Sequence, residues 1–385
     1  LLAEERRQRN SGRPDWRQIE GTIEYAFEAP RRVRAGFIGC GGHSYRNIYP
    51  TFRYAPVDLV AVADVVGERA EAYRREFGAQ RAYSDYREML EKEDLECVFV
   101  VTNYDEDGRP RFPGIAIDAM KAGVHVWIEK PPAASLAEVE AMIDAERATG
   151  KFVQVGYKKM FAPAYVKVQQ IAQGEAFGGA RQISIRYPQS MPPPDVRYDL
   201  AGTPQAIGFL DHVCHPLAIL QLLGGDAESM TYVWEAGNGG FMTLFNMRSG
   251  AIASWHSSGG QGRSAPLEHV EVVGKSAHIV IDNTVRVIYY RQRPGFVYGR
   301  SASFLDDEEH APIIWEPEFS LGNLNNDNAF FLGYVPQVRD FCENVMNNTR
   351  PLKAGMRDTW MQVQIYEAYR HPAGTLIELQ QPPEI

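Results

Sequence analysis

Two short stretches carry side chains whose types and spacing suit proton transfer at a bound ligand, and a third suits phosphate binding. Glu129-Lys130-Pro131 sets a carboxylate beside an amine. A lysine in a closed site can hydrogen-bond a hydroxyl and share in its proton transfer, and burial with suitable neighbours can bring it toward neutral pH. The plain alternative is a surface lysine just beyond a strand. Asp211-His212-Val213-Cys214-His215 places an acid and an imidazole four residues apart, on one face if the segment is helical. His215 has the intrinsic pKa for acid–base work near neutrality, and Asp211 can orient a hydroxyl or raise the basicity of a neighbour. His212 points about 100° away from Asp211. Asp211 and His215 can instead be a satisfied pair on a helix face. A metal held by Asp211, His212, His215 and His43 is disfavoured, because the helix residues diverge and no other His or Cys pair has zinc-like spacing. No metal is expected.

The third stretch, Gly36-Phe-Ile-Gly39-Cys-Gly41-Gly42-His43-Ser44, follows an apolar run. Gly39 permits a tight turn, and Gly41 lets backbone approach a pyrophosphate with no Cβ in the way. A helix starting there offers free N–H groups to phosphates. Ser44 stands at the third glycine position of the dinucleotide fingerprint, so the motif is imperfect and a plain tight turn competes with it. Asp64 shifts the balance. It ends the next apolar run, 25 positions after Gly39, where an acid accepts hydrogen bonds from an adenosine ribose; it can equally cap the following helix. Turn, strand and acid together predict a bound dinucleotide. Like-charge repulsion between Asp64 and a 2′-phosphate favours NAD, while Arg69 softens that repulsion and leaves NADP open.

The elements that must position these groups can be read from the hydrophobic pattern. Strand-like runs at Val33–Ile38, Asp58–Asp64, Leu95–Thr102, His125–Glu129 and Phe152–Tyr157 alternate with helical spacing. The helices include Gly67–Phe77, closed by Gly78, and one opened by a Ser135-Leu-Ala-Glu138 capping box and stopped at Gly150. Alternation of this kind predicts a doubly wound parallel sheet, an α/β Rossmann domain over 33–157. Beyond a helix near Ala164–Gln173 the strands succeed one another, at Arg181–Tyr187, Ser229–Trp234, Phe241–Asn246, Ala251–Trp255, His269–Val273, His278–Ile281 and Val285–Tyr290. Turn pairs such as Gly239-Gly240 predict antiparallel neighbours. A helix at Pro204–Leu223 interrupts them, and two more lie near Tyr334–Asn347 and Gly355–Tyr369. Residues 158–385 thus read as an α+β domain with an open, mainly antiparallel sheet. Residues 1–32 read as an N-terminal arm, and 292–328 as a long excursion without period.

Bulk properties narrow the partners. With 385 residues, 44 % hydrophobic and 23 % charged, the chain suits two globular domains. A formal charge of -9 argues against nucleic acid. No run reaches the roughly 18 apolar residues of a membrane span, and the polar opening LLAEERRQRNSGRPDW lacks the apolar core of a signal peptide. Cys40, Cys97, Cys214 and Cys342 are scattered, which suits a reduced, cytoplasmic protein.

Taken in order, the Gly-rich turn, Ala119-Met-Lys-Ala-Gly-Val-His-Val126, Glu129-Lys130-Pro131, Val155-Gly-Tyr157 with Phe161-x-Pro163-x-Tyr165, and Asp211-x-x-x-His215 resemble the Gfo/Idh/MocA family of glucose–fructose oxidoreductase and inositol dehydrogenase. The resemblance implies hydride transfer between nicotinamide and a secondary hydroxyl or ketone of a sugar, inositol or glycoside. It also implies a homo-oligomer, with Lys130, Asp211 and His215 at the substrate. Gly39, Gly41, Gly42, His43, Ser44, Asp64, Thr102, Asn103, Glu129 and Lys130 become the expected cofactor contacts. Tyr157, Lys158, Arg197, Tyr198 and His212 join Asp211 and His215 as substrate contacts, since a polyol needs several hydrogen-bond partners. Lys130 and His215 both remain candidate bases. The alternatives are an NAD-retaining hydrolase or lyase and a non-catalytic sensor. Two departures stand out: the family's T-P-N-x-x-H becomes Thr102-Asn103-Tyr104 with an inserted Asp105–Arg111, and a pair of arginines becomes Lys159-Met160.

Overall fold

In the computed structural model, residues 29–262, 267–291, 311–318 and 327–384 are described; most of the expected N-terminal arm and of the 292–328 excursion lies outside them. The short, largely apolar runs of the first half pair side by side. Strands β1 (Val33–Ile38), β2 (Val57–Ala63), β3 (Arg81–Tyr83), β4 (Cys97–Val100), β5 (His125–Ile128) and β6 (Val153–Val155) form a parallel sheet in the order β3-β2-β1-β4-β5-β6. The strand order reverses between β1 and β4, which opens a crevice at their carboxyl ends. Helices α1 (Gly67–Phe77), α2 (Tyr86–Lys92), α3 (Phe112–Lys121) and α4 (Leu136–Thr149) connect the strands. Gly78 and Gly150 end α1 and α4 in the left-handed region, at φ 77° and 69°, as read from the sequence.

The capping box at α4 takes a different form from the one expected. Ser135 makes no side-chain cap bond. Glu138 instead accepts from the Ala134 N–H at 2.7 Å and pairs with Arg109 at 2.6 Å, so the inserted loop, rather than Ser135, is what this carboxylate secures.

The second half contains α5 (Pro163–Gln173), β7 (Gln182–Tyr187), α6 (Pro204–Gly224), β8 (Ala227–Trp234), β9 (Phe241–Met247), β10 (Ile252–Ser257), β11 (His269–Val273), β12 (His278–Asp282), β13 (Arg286–Tyr290), β14 (Ile313–Trp315), α7 (Tyr334–Asn347), α8 (Met356–Ala368) and β15 (Ile377–Glu378). The nine strands pair in the order β14-β13-β12-β11-β7-β10-β9-β8-β15. Their neighbours are antiparallel except β7 and β10, which run parallel. The sheet is thus mainly antiparallel, as expected; α6 and two further strands separate β7 from β10, so no tight turn joins that parallel pair. Strand β14 falls inside the stretch read as structureless, because three residues at a sheet edge carry too little pattern to be seen.

Period-two alternation sets the two faces of this sheet. Along β9, Phe241, Thr243, Phe245 and Met247 are buried while Met242 and Leu244 are exposed. The inner face packs on α6, which alone among the described helices is long and apolar enough to cross a bilayer and is mostly buried within the protein. Helix α7 crosses back to the first domain. Val338, Phe341 and Cys342 share a buried cluster with Phe37, Phe99 and Trp127, so the chain after residue 157 does not stay within one domain. All four cysteines are buried, unpaired thiols.

Candidate active site

The glycine turn after β1 is built as a cradle. Gly39 has φ 104°, and a Cβ there would lie 1.9 Å from the Val101 carbonyl oxygen. Only glycine fits. Gly41 and Gly42 face open space, on the side where a pyrophosphate approaches. Ser44 is more than a small residue at the third position: its buried hydroxyl accepts from the Gly41 N–H at 2.9 Å and donates to the Gly41 carbonyl at 2.7 Å. The helix that follows is irregular, a π-helical turn over Ser44–Ile48 running into a 3₁₀ turn over Tyr49–Arg53, where a regular helix was expected.

A groove of about 970 Å³ runs from this turn past Asp64, Arg69, Thr102, Asn103 and Tyr104. Asp64 serves the turn as well as the groove, accepting from the Cys40 N–H at 2.8 Å and the Val66 N–H at 2.9 Å. Arg69 approaches it to 3.6 Å. The Thr102 hydroxyl is buried beside Gly39 and has no hydrogen-bond partner among the described residues. A turn that excludes any Cβ, an acid at the tip of β2 and an orphaned hydroxyl between them fit a dinucleotide.

At the neighbouring carboxyl end of β5, the Glu129 carboxylate is 4 % exposed. It accepts from its own chain at the Lys130 N–H, 2.9 Å away, and contacts His43 Nε2 at 2.9 Å. The Asn47 amide donates to His43 Nδ1 at 3.1 Å, so Nε2 carries the proton and donates to Glu129. The Lys130-Pro131 bond is cis. Lys130 Nζ donates to Asp211 Oδ1 at 2.9 Å, and so does the Tyr104 hydroxyl, also at 2.9 Å. Tyr104 stands at the base of the inserted loop, which closes through the Asp105 N–H to the Arg109 carbonyl (2.9 Å) and a bridge between Tyr104 and Pro110. The sequence shows the insertion; Tyr104, just before it, is not among the expected site residues.

Because Asp211 and His215 are four apart on α6, the Lys130 contact brings the amine to the helix face that carries the imidazole. His215 is 8 % exposed, lies 6.1 Å from the Tyr187 ring and 6.3 Å from the His212 ring, and has no hydrogen-bond partner among the described residues. Burial and the positive charges of Lys130, Lys158 and Lys159 hold it well below the usual histidine pKa. It is a neutral imidazole. Lys130 goes the other way. Burial alone would depress it, but Asp211 and Glu129 outweigh that and raise it above the ordinary lysine value. Burial can bring a lysine toward neutrality, but here the two carboxylate neighbours favour the charged form. Lys158 is the amine that burial and the adjacent Lys159 do bring down, to about 8.

Other expected contacts are engaged elsewhere. Arg197 is 1 % exposed and donates to the carbonyls of Pro192 and Tyr369 and to the Tyr232 hydroxyl. Tyr198 donates to the Tyr366 carbonyl at 2.6 Å and stacks under Arg370. Tyr157 is a buried core ring. His212 is half exposed and turns to the Gly208 carbonyl at 2.9 Å. These residues knit the second domain together.

A Rossmann crevice thus lies beside a helix that carries an acid and an imidazole held well below its usual pKa. Residues 33–157 match the model of the oxidoreductase family with an NAD-binding Rossmann fold, Gfo/Idh/MocA. That match spans the Rossmann domain. It is 27 % identical to the scyllo-inositol 2-dehydrogenase (NAD(+)) of Bacillus subtilis over 337 residues, 83 % of this chain and 88 % of that one. Similarity to the inositol 2-dehydrogenase of Salmonella typhimurium, also 27 %, is shorter: this chain spans 50 % of that relative. Among solved structures, levoglucosan dehydrogenase in complex with NADH and L-sorbose superposes with a TM-score of 0.73 at 18 % identity, covering 91 % of this chain and 100 % of that one.

Proposed function

We propose that this oxidoreductase interconverts a secondary hydroxyl and a ketone on a sugar, inositol or glycoside. The observation that carries the reading is the 2.9 Å contact between Lys130 Nζ and Asp211 Oδ1, which ties the turn after β5 to the helix face bearing His215. Bound NAD supplies the hydride acceptor, with Gly39, Gly41, Asp64 and Thr102 forming its seat and NADP the less favoured cofactor beside Asp64. His215, held neutral, is the group ready to take the hydroxyl proton. Lys130, held charged, donates a hydrogen bond to the same oxygen and stabilises negative charge as it develops there. Asp211 aims Lys130 and is itself fixed by Tyr104. Lys130 and His215 therefore have separate tasks, which residue type alone leaves unranked. The dehydrogenase activity named for the inositol relatives supports a polyol substrate. The exposed Val233, Met242, Leu244 and Ile252 on the outer face of the second sheet support self-association.

The test is reduction of NAD and NADP with panels of aldoses, inositols, anhydrosugars and glycosides. NADH accumulating with at least one class is the expected result. Multiple turnovers without net NADH point to elimination or hydrolysis through transient oxidation, and binding without any turnover points to a sensor; either removes the dehydrogenase reading.

A further inference from the structure

Three lysines crowd this cleft, and two have a carboxylate of their own. Lys130 pairs with Asp211 at 2.9 Å and Lys159 with Glu268 at 2.7 Å. Lys158 is different. Its Nζ donates to the Tyr334 hydroxyl at 2.7 Å and lies 4.3 Å from the centre of that ring; among the described residues it has no carboxylate partner. Nor can its backbone easily withdraw, because Gly333, at φ 90°, leaves no room for a Cβ against the Lys158 carbonyl, 2.1 Å from where that atom would sit. Tyr334 joins this amine to the rest of the site, with its ring 6.3 Å from that of His43, which holds Glu129. A part-buried ammonium without a counter-ion carries a desolvation cost, and a ligand that brings one offsets it.

We infer that the substrate carries an anionic oxygen group, a carboxylate or a phosphate ester, and that Lys158, steadied by Tyr334, is its seat. The inference rests on the polyol reading above and adds a charge to it. Lys158 faces Lys159 and Lys130 as like charges, Glu129 and Glu268 as opposite ones, and the Tyr334 phenol. Its depressed pKa of about 8 means that the seat is charged below that pH and lost above it.

Matched ligands test this without turnover. Binding to the NADH-loaded full chain, followed by fluorescence of the bound NADH, is measured for glucose against glucuronate and glucose 6-phosphate, galactose against galacturonate, and glucitol against gluconate. In at least one set an acid or ester should bind about tenfold or more tightly than its neutral partner, the scale of one charge-assisted hydrogen bond; which acidic arm wins identifies the group. Lys158→Met should bring the ratio to about one and Lys158→Arg should keep it, with NADH affinity unchanged in both as the sign of a folded protein. In the wild type the ratio should fall as pH rises through about 8. Equal affinities throughout, no binding of any anion, or a preference untouched by Lys158→Met overturns the inference. Absorbance of NADH produced from the same ligands with NAD reads the dehydrogenase proposal separately.

Discussion

Lys130 and Lys158 sit in one cleft, and their neighbours drive them in opposite directions. Lys130 has Asp211 and Glu129 and stays charged, while Lys158 has Lys159 beside it and loses its proton more easily. The imidazole of His215 is surrounded by these cations and stays neutral. A base of lowered pKa is active above that pKa and fails as pH falls through it. The acid limb of kcat/KM should therefore fall below pH 6.5, the ordinary histidine value; a limb centred at or above 6.5 would contradict the assignment. Tyr104→Phe removes one of two donors to Asp211 Oδ1. Its kcat/KM should drop about tenfold with NAD affinity unchanged, and an unaltered rate would show that Tyr104 does not hold the acid.

How much of this was legible depended on sequence distance. Gly39, Ser44 and Asp64 form a local pattern, and the type and spacing of Lys130, Asp211 and His215 made them candidates. Tyr104 contacts Asp211 across 107 residues and Lys158 contacts Tyr334 across 176, so no local period announces either pair. Arg197 and Tyr198 have suitable chemistry for sugar binding, but in the second domain Arg197 Nε and Nη1 and the Tyr198 hydroxyl bond other protein groups. The charge states of the lysines were illegible because burial, and for Lys130 the Asp211 carboxylate 81 residues away, act together with the chain neighbours Glu129 and Lys159.

At the scale of elements, two substitutions probe how the frame holds the site. Gly39→Ala places a methyl against Val101 at a positive φ, and should cost about 1–3 kcal/mol in stability and most of the NAD affinity; normal NADH binding by titration would mean the turn is not the seat. Glu146, on α4, accepts from the Val153 N–H at 2.6 Å and so joins that helix to β6. Burial raises its pKa from 4.5 to about 7. The folded state thus holds a proton that the unfolded state releases above 4.5, and stability falls as pH rises from there through about 7. Glu146→Gln should be more stable than wild type by up to about 3 kcal/mol at pH 8 and gain little at pH 4, as read by urea unfolding; equal gains at both pH values would contradict the protonation account. Long elements were readable because apolar spacing repeats along them, whereas β3, α2 and β14 are too short to repeat anything.

Across the whole molecule, α7 returns to the first sheet and links it to the proposed site. Phe341 packs on Phe99 with ring centres 5.2 Å apart, and the same helix begins at Tyr334, the partner of Lys158. The outer face of the nine-stranded sheet leaves Val233, Met242, Leu244 and Ile252 exposed, a row larger than scattered surface hydrophobics. Light scattering should give a mass of a dimer or larger from 43.3 kDa subunits, and Leu244→Glu should shift it toward the monomer; a monomeric wild type removes self-association from the proposal.

The most direct measurement is the steady-state rate of NADH formation in a double-mutant cycle of Lys130→Ala and His215→Ala, on whichever polyol the wild type oxidises. If amine and imidazole act on one alcohol, each single change lowers kcat/KM by roughly 10²–10⁴-fold, and the double mutant is little worse than the poorer single. Near-normal rates in either single mutant, or losses that simply multiply, would mean that the two groups do not share a substrate oxygen.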